Sequence, residues 1–122
     1  VYELIGREQM VFVTDAMAAT GLGDGDYVLG GQAVTVKEGV ATLSQRGGGL
    51  AGGTSHLINQ VKIAHKAGIP LVDAVYCAST QGARILGNPQ LGQVAPGKFA
   101  DLLVTDADLN PMEVYKRGSR VF

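Results

Sequence analysis

Apolar positions change their period several times along the chain, and each change marks an element. Val1, Leu4 and Ile5 fall at helical spacing in VYELIGREQ and predict the last turns of a helix. Met10-Val11-Phe12-Val13 is an apolar run too short for a helix and apolar on both faces. It predicts a strand buried on both sides, as in parallel sheets and barrels. Beyond Asp15 and the loop AMAATGLGDGD, three short runs follow: Tyr27-Val28-Leu29, Ala33 to Lys37 and Val40 to Leu43. Gly30-Gly31 and Glu38-Gly39 separate them, which predicts an antiparallel meander.

The run SQRGGGLAGG, residues 44–53, breaks that pattern. Leu57, Ile58, Val61, Ile63, Ala64 and Ala67 then return to helical spacing, predicting a helix from Thr54 to Ala67. Thr54 or Ser55 is the expected N-cap and Gly68 the stop. A second helix is predicted from Leu71 to Leu86, with Asp73 in its first turn and Gly87 beyond its end. The tail reads as strands again at Gly92 to Val94, Ala100 to Thr105, Met112 to Tyr115 and Arg120 to Phe122. This order mixes two architectures. It predicts a small sheet, drawn from both sides of a helical insertion, interleaved with a piece of an α/β domain.

Composition narrows the classes. The chain has 122 residues, 46% hydrophobic and 17% charged, which suits one modest folded core. Gly is 18 of the 122 residues, about twice the usual share, and lies in clusters without a short period, so collagen-like and low-complexity readings fail. The net charge of -1 and the absence of Trp leave no basic stripe or stacking platform for nucleic acid. No apolar run approaches the length of a membrane span, and the first residues are acidic where a signal peptide would be basic, so no membrane partner and a cytoplasmic location are expected. The single cysteine, Cys77, cannot form an intramolecular disulfide and reads as a small apolar core residue.

Two features could carry chemistry. Asp15 follows directly on the Met10–Val13 run, and in parallel sheets and barrels functional groups sit beyond the carboxyl ends of strands. An Asx turn is the alternative at that position. The loop GGGLAGGT precedes a predicted helix and could offer backbone N–H groups to an oxyanion, or could be a plain connector. It matches neither dinucleotide nor P-loop spacing. His56 and His65 are nine apart and cannot form the i, i+4 pair of a zinc helix. Asp101, Asp106 and Asp108 read as turn and solvent residues.

Taken in order, VTDAMAATG, the meander, LAGGT, ASTQGARILG and LGQVAPGKFADLLV resemble the C-terminal part of the N-acetylglucosamine-6-phosphate deacetylases, a family of the amidohydrolase superfamily. VTDAMAATG with LAG is the specific portion of the match; the other two motifs are shared more widely in the superfamily. The resemblance implies a fold class of α/β type, the C-terminal piece of a (β/α)8 metal-dependent hydrolase barrel interleaved with a small β-sandwich. Residues 1–24 would be the end of the barrel with its last helix, eighth strand and catalytic loop. Residues 25–44 and 89–122 would be sandwich strands, and residues 45–88 the glycine loop and barrel-associated helices.

The resemblance also implies roles for particular residues. Asp15 matches a catalytic aspartate that takes a proton from metal-bound water and returns one to the leaving amine, with a divalent metal such as zinc lowering the water pKa to about 7. Ala51, Gly52 and Gly53 match a loop that contacts the sugar phosphate. The sequence departs from the family pattern at Gly53, where serine is common, at the arginine-bearing run Gln45 to Gly49, and at Gln81-Gly82, where Asn-Pro is usual. Neither His56 nor His65 matches a metal ligand, so no metal is expected within this chain, and the 122 residues alone are expected to be inactive. Hydrolysis of a cyclic amide and a non-catalytic β-rich assembly module remain alternatives. The small-molecule partner would be an amino-sugar phosphate, and the exposed apolar faces predict a homodimer.

Overall fold

The meander forms where its turn signals place it. In the computed structural model, which describes residues 1–45 and 47–122, β1 is Gly25–Leu29, β2 is Gln32–Lys37 and β3 is Val40–Leu43. They pair antiparallel in the order β1-β2-β3, with Tyr27 opposite Val34 and Val36 opposite Ala41. Both hairpin turns have two consecutive residues at positive φ: Gly30 and Gly31 at 57° and 81°, Glu38 and Gly39 at 52° and 74°. That is the turn whose twist matches the strands. Glu38 is an unusual occupant, and the Asp24 carboxylate supports it by accepting the backbone N–H groups of Glu38 at 2.7 Å and Gly39 at 3.0 Å. Those bonds hold the Asp24 carboxyl below its ordinary pKa.

Val34 and Val36 point to the buried face of β2, and Ala41 lies beside them on β3. Met17, Ala19 and Ala51, from the loops before and after the meander, complete this core, with Tyr27 and Leu43 packed against it. These elements belong to the compact unit Val13–Gln60. Arg46, in the glycine run singled out above, lies outside the described residues.

The second unit comprises Val1–Phe12 and Val61–Phe122. Its first residues form α1, Tyr2–Ile5, and a 3-10 turn at Arg7–Gln9, separated by Gly6 at φ 67°. Helix α2 is Leu57–Lys66. It ends in a Schellman arrangement: Gly68 is at φ 101°, Gly68 N–H reaches His65 O at 3.0 Å and Ile69 N–H reaches Ala64 O at 3.1 Å. Helices α3, Leu71–Ala78, and α4, Thr80–Ile85, follow. The sheet β4-β5-β6 is Leu102–Thr105, Pro111–Lys116 and Ser119–Arg120, with Leu103 opposite Val114. Its turns are held by aspartates: Asp106 accepts from the N–H groups of Asp108 and Asn110 at 3.0 and 2.8 Å, and Asp101 accepts from Arg117 N–H at 2.7 Å.

Five expectations need correction. Met10 to Val13 is not a strand; Met10 is extended, but a strand exists only through a ladder, and Phe12 N–H donates instead to Cys77 O at 3.0 Å. The helix expected from Thr54 starts at Leu57, because Thr54 and Ser55 are otherwise engaged: the Thr54 hydroxyl donates to Gly39 O and Ser55 accepts from the Gln60 amide at 2.9 Å. The helix expected over Leu71 to Leu86 breaks at Ser79, whose φ of -131° and ψ of -75° leave the helical region. At the restart Thr80 donates to Gly92 O, and Gly92 stands at φ 79°, outside the extended region, where the strand expected at Gly92 to Val94 does not form. Last, strands before and after the helices do not share one sheet; among the described residues they form two three-stranded sheets.

Candidate functional site

Asp15 sits at a backbone kink. Its φ is 49°, left-handed for a residue with a side chain. The conformation persists because the neighbouring backbone is tied down: Gly53 N–H donates to Asp15 O at 2.6 Å and Met17 N–H donates to Gly53 O at 3.1 Å. These two bonds make a parallel bridge between Ala16 and Gly53. The two stretches singled out from sequence, around Asp15 and at residues 51–53, are therefore joined directly.

Each neighbour of this bridge is fixed in turn. Leu50 bridges antiparallel to Thr42, and Ala51 N–H donates to Ala41 O at 2.9 Å, so the loop extends from the edge of β3. Ala51 is 6% exposed and belongs to the core, so it fixes the loop while Gly52 and Gly53, half-buried, follow it. Gly52 is at φ 96°, and a Cβ there would stand 3.0 Å from Asp15 O. At Gly53 the fit is closer: a Cβ would overlap the Thr14 carbonyl oxygen. The glycine at the position where serine is usual in the resembled family thus has a steric reason in this chain.

The bonds at this turn run through the backbone and the Thr20 hydroxyl, and the Asp15 side chain is left exposed. An open recess of about 490 Å³ borders it, lined among others by Met17, Leu29, Gln32, Leu50 and Gly52. His56 is exposed, with its ring 3.4 Å from the position a Cβ on Gly21 would take, and His65 is exposed in the other unit with Nδ1 3.1 Å from Ile69 O. Among the described residues no group of three or more His, Cys, Asp or Glu is placed to hold a metal.

A second carboxylate cluster belongs to the other unit and is fully engaged. Asp73 accepts from the Tyr2 hydroxyl and from Arg7 Nη1 at 2.7 Å, while Glu8 accepts from the Tyr76 hydroxyl at 2.7 Å and pairs with Arg84. The Arg7 guanidinium lies 4.7 Å over the Tyr76 ring. Both carboxyls are held below their ordinary pKa, Asp73 by the Tyr2 hydroxyl and then Arg7, Glu8 by the Tyr76 hydroxyl and then Arg84. This cluster fastens residues 2–8 to α3 and α4. Cys77, fully buried below it, has its thiol pKa pushed up by burial. Sequence reasoning missed Thr20 and the Thr14 carbonyl; a threonine three residues after Met17 was the available signal for the first, and nothing local announced the second.

Comparison with known proteins places this arrangement. The chain is 39% identical over 116 residues to the N-acetylglucosamine-6-phosphate deacetylase of Vibrio furnissii, covering 93% of the chain and 29% of that protein. It is 35% identical to the N-acetylgalactosamine-6-phosphate deacetylase of Escherichia coli O157:H7, covering 92% of the chain and 30% of that protein. The crystal structure of N-acetylglucosamine-6-phosphate deacetylase from Thermotoga maritima superposes with a TM-score of 0.89 at 35% identity, covering 99% of the chain and 33% of that structure. The chain thus spans about a third of the length of these relatives. No helix among the described residues is long and apolar enough to cross a membrane. Residues 9–121 match the amidohydrolase family, and the chain belongs to it.

Proposed function

We propose that this chain contributes the proton-transfer carboxylate and the adjoining loop to an amidohydrolase that removes acetate from N-acetylglucosamine-6-phosphate. The observation that carries the reading is the parallel bridge: it holds an exposed carboxylate, Asp15, beside the backbone of Gly52 and Gly53 at the rim of an open recess. Asp15 takes a proton from the water that attacks the acetamide carbonyl and delivers it to the amine as the C–N bond breaks, giving acetate and the free amino sugar phosphate. The backbone at 51–53 shapes the approach of the sugar. Its glycines let a ligand come close to the main chain.

A divalent metal, which the family resemblance implies, finds no ligand set among the described residues. The role proposed for this chain is therefore confined to proton transfer and loop geometry. Both amino-sugar epimers occur in the names of its relatives.

The test is acetate release by the protein as its gene encodes it, offered N-acetylglucosamine-6-phosphate, N-acetylgalactosamine-6-phosphate and a six-membered cyclic amide. Turnover of the gluco sugar phosphate supports the reading. Preference for the galacto epimer corrects the substrate, and hydrolysis of the cyclic amide alone replaces the reading.

A further inference from the structure

Thr20 lies five residues beyond Asp15 yet is bonded into the same bridge. Its hydroxyl oxygen accepts the Met17 N–H at 3.1 Å and donates to Gly53 O at 2.9 Å. Met17 N–H also reaches Gly53 O at 3.1 Å, and Thr20 N–H donates to Met17 O at 2.9 Å. Met17, Thr20 and Gly53 thus form a closed triangle of hydrogen bonds, one residue from Ala16 and two from Asp15. The side chain is half-buried.

A hydroxyl suits this position because it accepts and donates at once. Valine has the same shape and can do neither. The Met17 Sδ lies 3.0 Å from the Ala19 nitrogen in the same turn.

We infer that Thr20 is a positioning residue that fixes the Asp15 turn against Gly53 and so sets where the carboxylate stands relative to the loop. This inference rests on the proton-transfer role proposed for Asp15. Without the hydroxyl, Gly53 O keeps one of its two donors and the left-handed turn at Asp15 loses a constraint. A displacement of about 1 Å at a reacting group can cost on the order of a hundredfold in rate. The loss falls on kcat, because the loop before Gly53 stays held to β3 through the Leu50–Thr42 bridge and the Ala51 N–H bond to Ala41 O.

The experiment compares Thr20→Val, Thr20→Ser and Asp15→Asn in the protein as its gene encodes it, with acetate release from N-acetylglucosamine-6-phosphate, circular dichroism and unfolding midpoint measured on each. Thr20→Val is expected to lower kcat by about ten- to a hundredfold with KM within about twofold, more than any loss of folded protein accounts for. Thr20→Ser, which keeps the hydroxyl, is expected to restore kcat to within about threefold of the unaltered protein. If Asp15→Asn is inactive while Thr20→Val turns over normally, the inference falls and the Asp15 reading stands. A fall in kcat that only tracks lost folded protein, or one that Thr20→Ser shares, also overturns it. Undiminished turnover by Asp15→Asn removes the Asp15 reading, and this inference with it.

Discussion

Two carboxylates in this chain are treated in opposite ways. Asp73 is covered by the Tyr2 hydroxyl and the Arg7 guanidinium, and its charge is spent on fastening the first residues to a helix. Asp15 is held by its backbone, through the Gly53 bridge, and its side chain stays exposed. A group that must exchange protons with a ligand cannot be saturated by its own protein, whereas a structural carboxylate gains from every donor it meets. Among the described residues the fold fixes the position of Asp15 through its backbone and leaves its carboxylate exposed, as the proton-transfer role proposed for it requires.

Four expected outcomes test this contrast. Asp15→Asn should lower acetate release by about a hundred- to ten-thousandfold, the range for loss of a general base, with an unchanged circular dichroism spectrum. Retained turnover would place the chemistry elsewhere. Gly53→Ser should follow, since its Cβ would meet the Thr14 carbonyl: a loss of roughly 1–3 kcal/mol in denaturant unfolding is expected. An unshifted midpoint would show that the bridge yields.

Acid should act on the other carboxylate. Asp73 and Glu8 have depressed pKa values in the folded chain, so the unfolded chain binds more protons as pH falls. Their stabilisation is present above the ordinary carboxylate range of about 4 and is lost as pH drops through the depressed native values. The unfolding midpoint should therefore fall on acidification over that window, and less steeply in Asp73→Asn. Equal slopes would mean that the clasp contributes nothing. The smallest signal is expected from zinc: dialysis of these 122 residues against zinc and then buffer should leave less than one ion per chain, and stoichiometric retention would contradict the reading of the donor set.

Local signals explain how much was legible in the sequence. The meander was readable because Gly30, Gly31 and Gly39 favour the left-handed turns they adopt, Glu38 being carried along by Asp24, and the alternation through Val34 and Val36 set its buried face. Met10 to Val13 was misread because strand character depends on a partner, which composition cannot supply. The start of α2 was misplaced for a related reason. Thr54 is a good N-cap in isolation, but its hydroxyl is taken by Gly39 O, a residue fifteen positions away.

The site shows the same division. Asp15 could be singled out from its place after an apolar run and from the family resemblance, and the loop at 51–53 from its glycines. Their joining by a parallel bridge, the crowding of Gly53 by Thr14 and the hydrogen bond from Thr20 to Gly53 O are all contacts across more than thirty residues. No spacing rule encodes them. Glycine where serine is usual was only a departure from the family pattern in sequence, and in the fold it reads as a close fit between two backbones.

The contrast comes down to charge proposed for chemistry at Asp15 and used for fastening at Asp73. Turnover and unfolding midpoint measured side by side on Asp15→Asn and Asp73→Asn test it most directly. A crossing is expected: Asp15→Asn folded to the same midpoint with acetate release lost, and Asp73→Asn lowered in midpoint with acetate release retained below it. Loss of turnover in Asp73→Asn at full folding, together with retained turnover in Asp15→Asn, would contradict it.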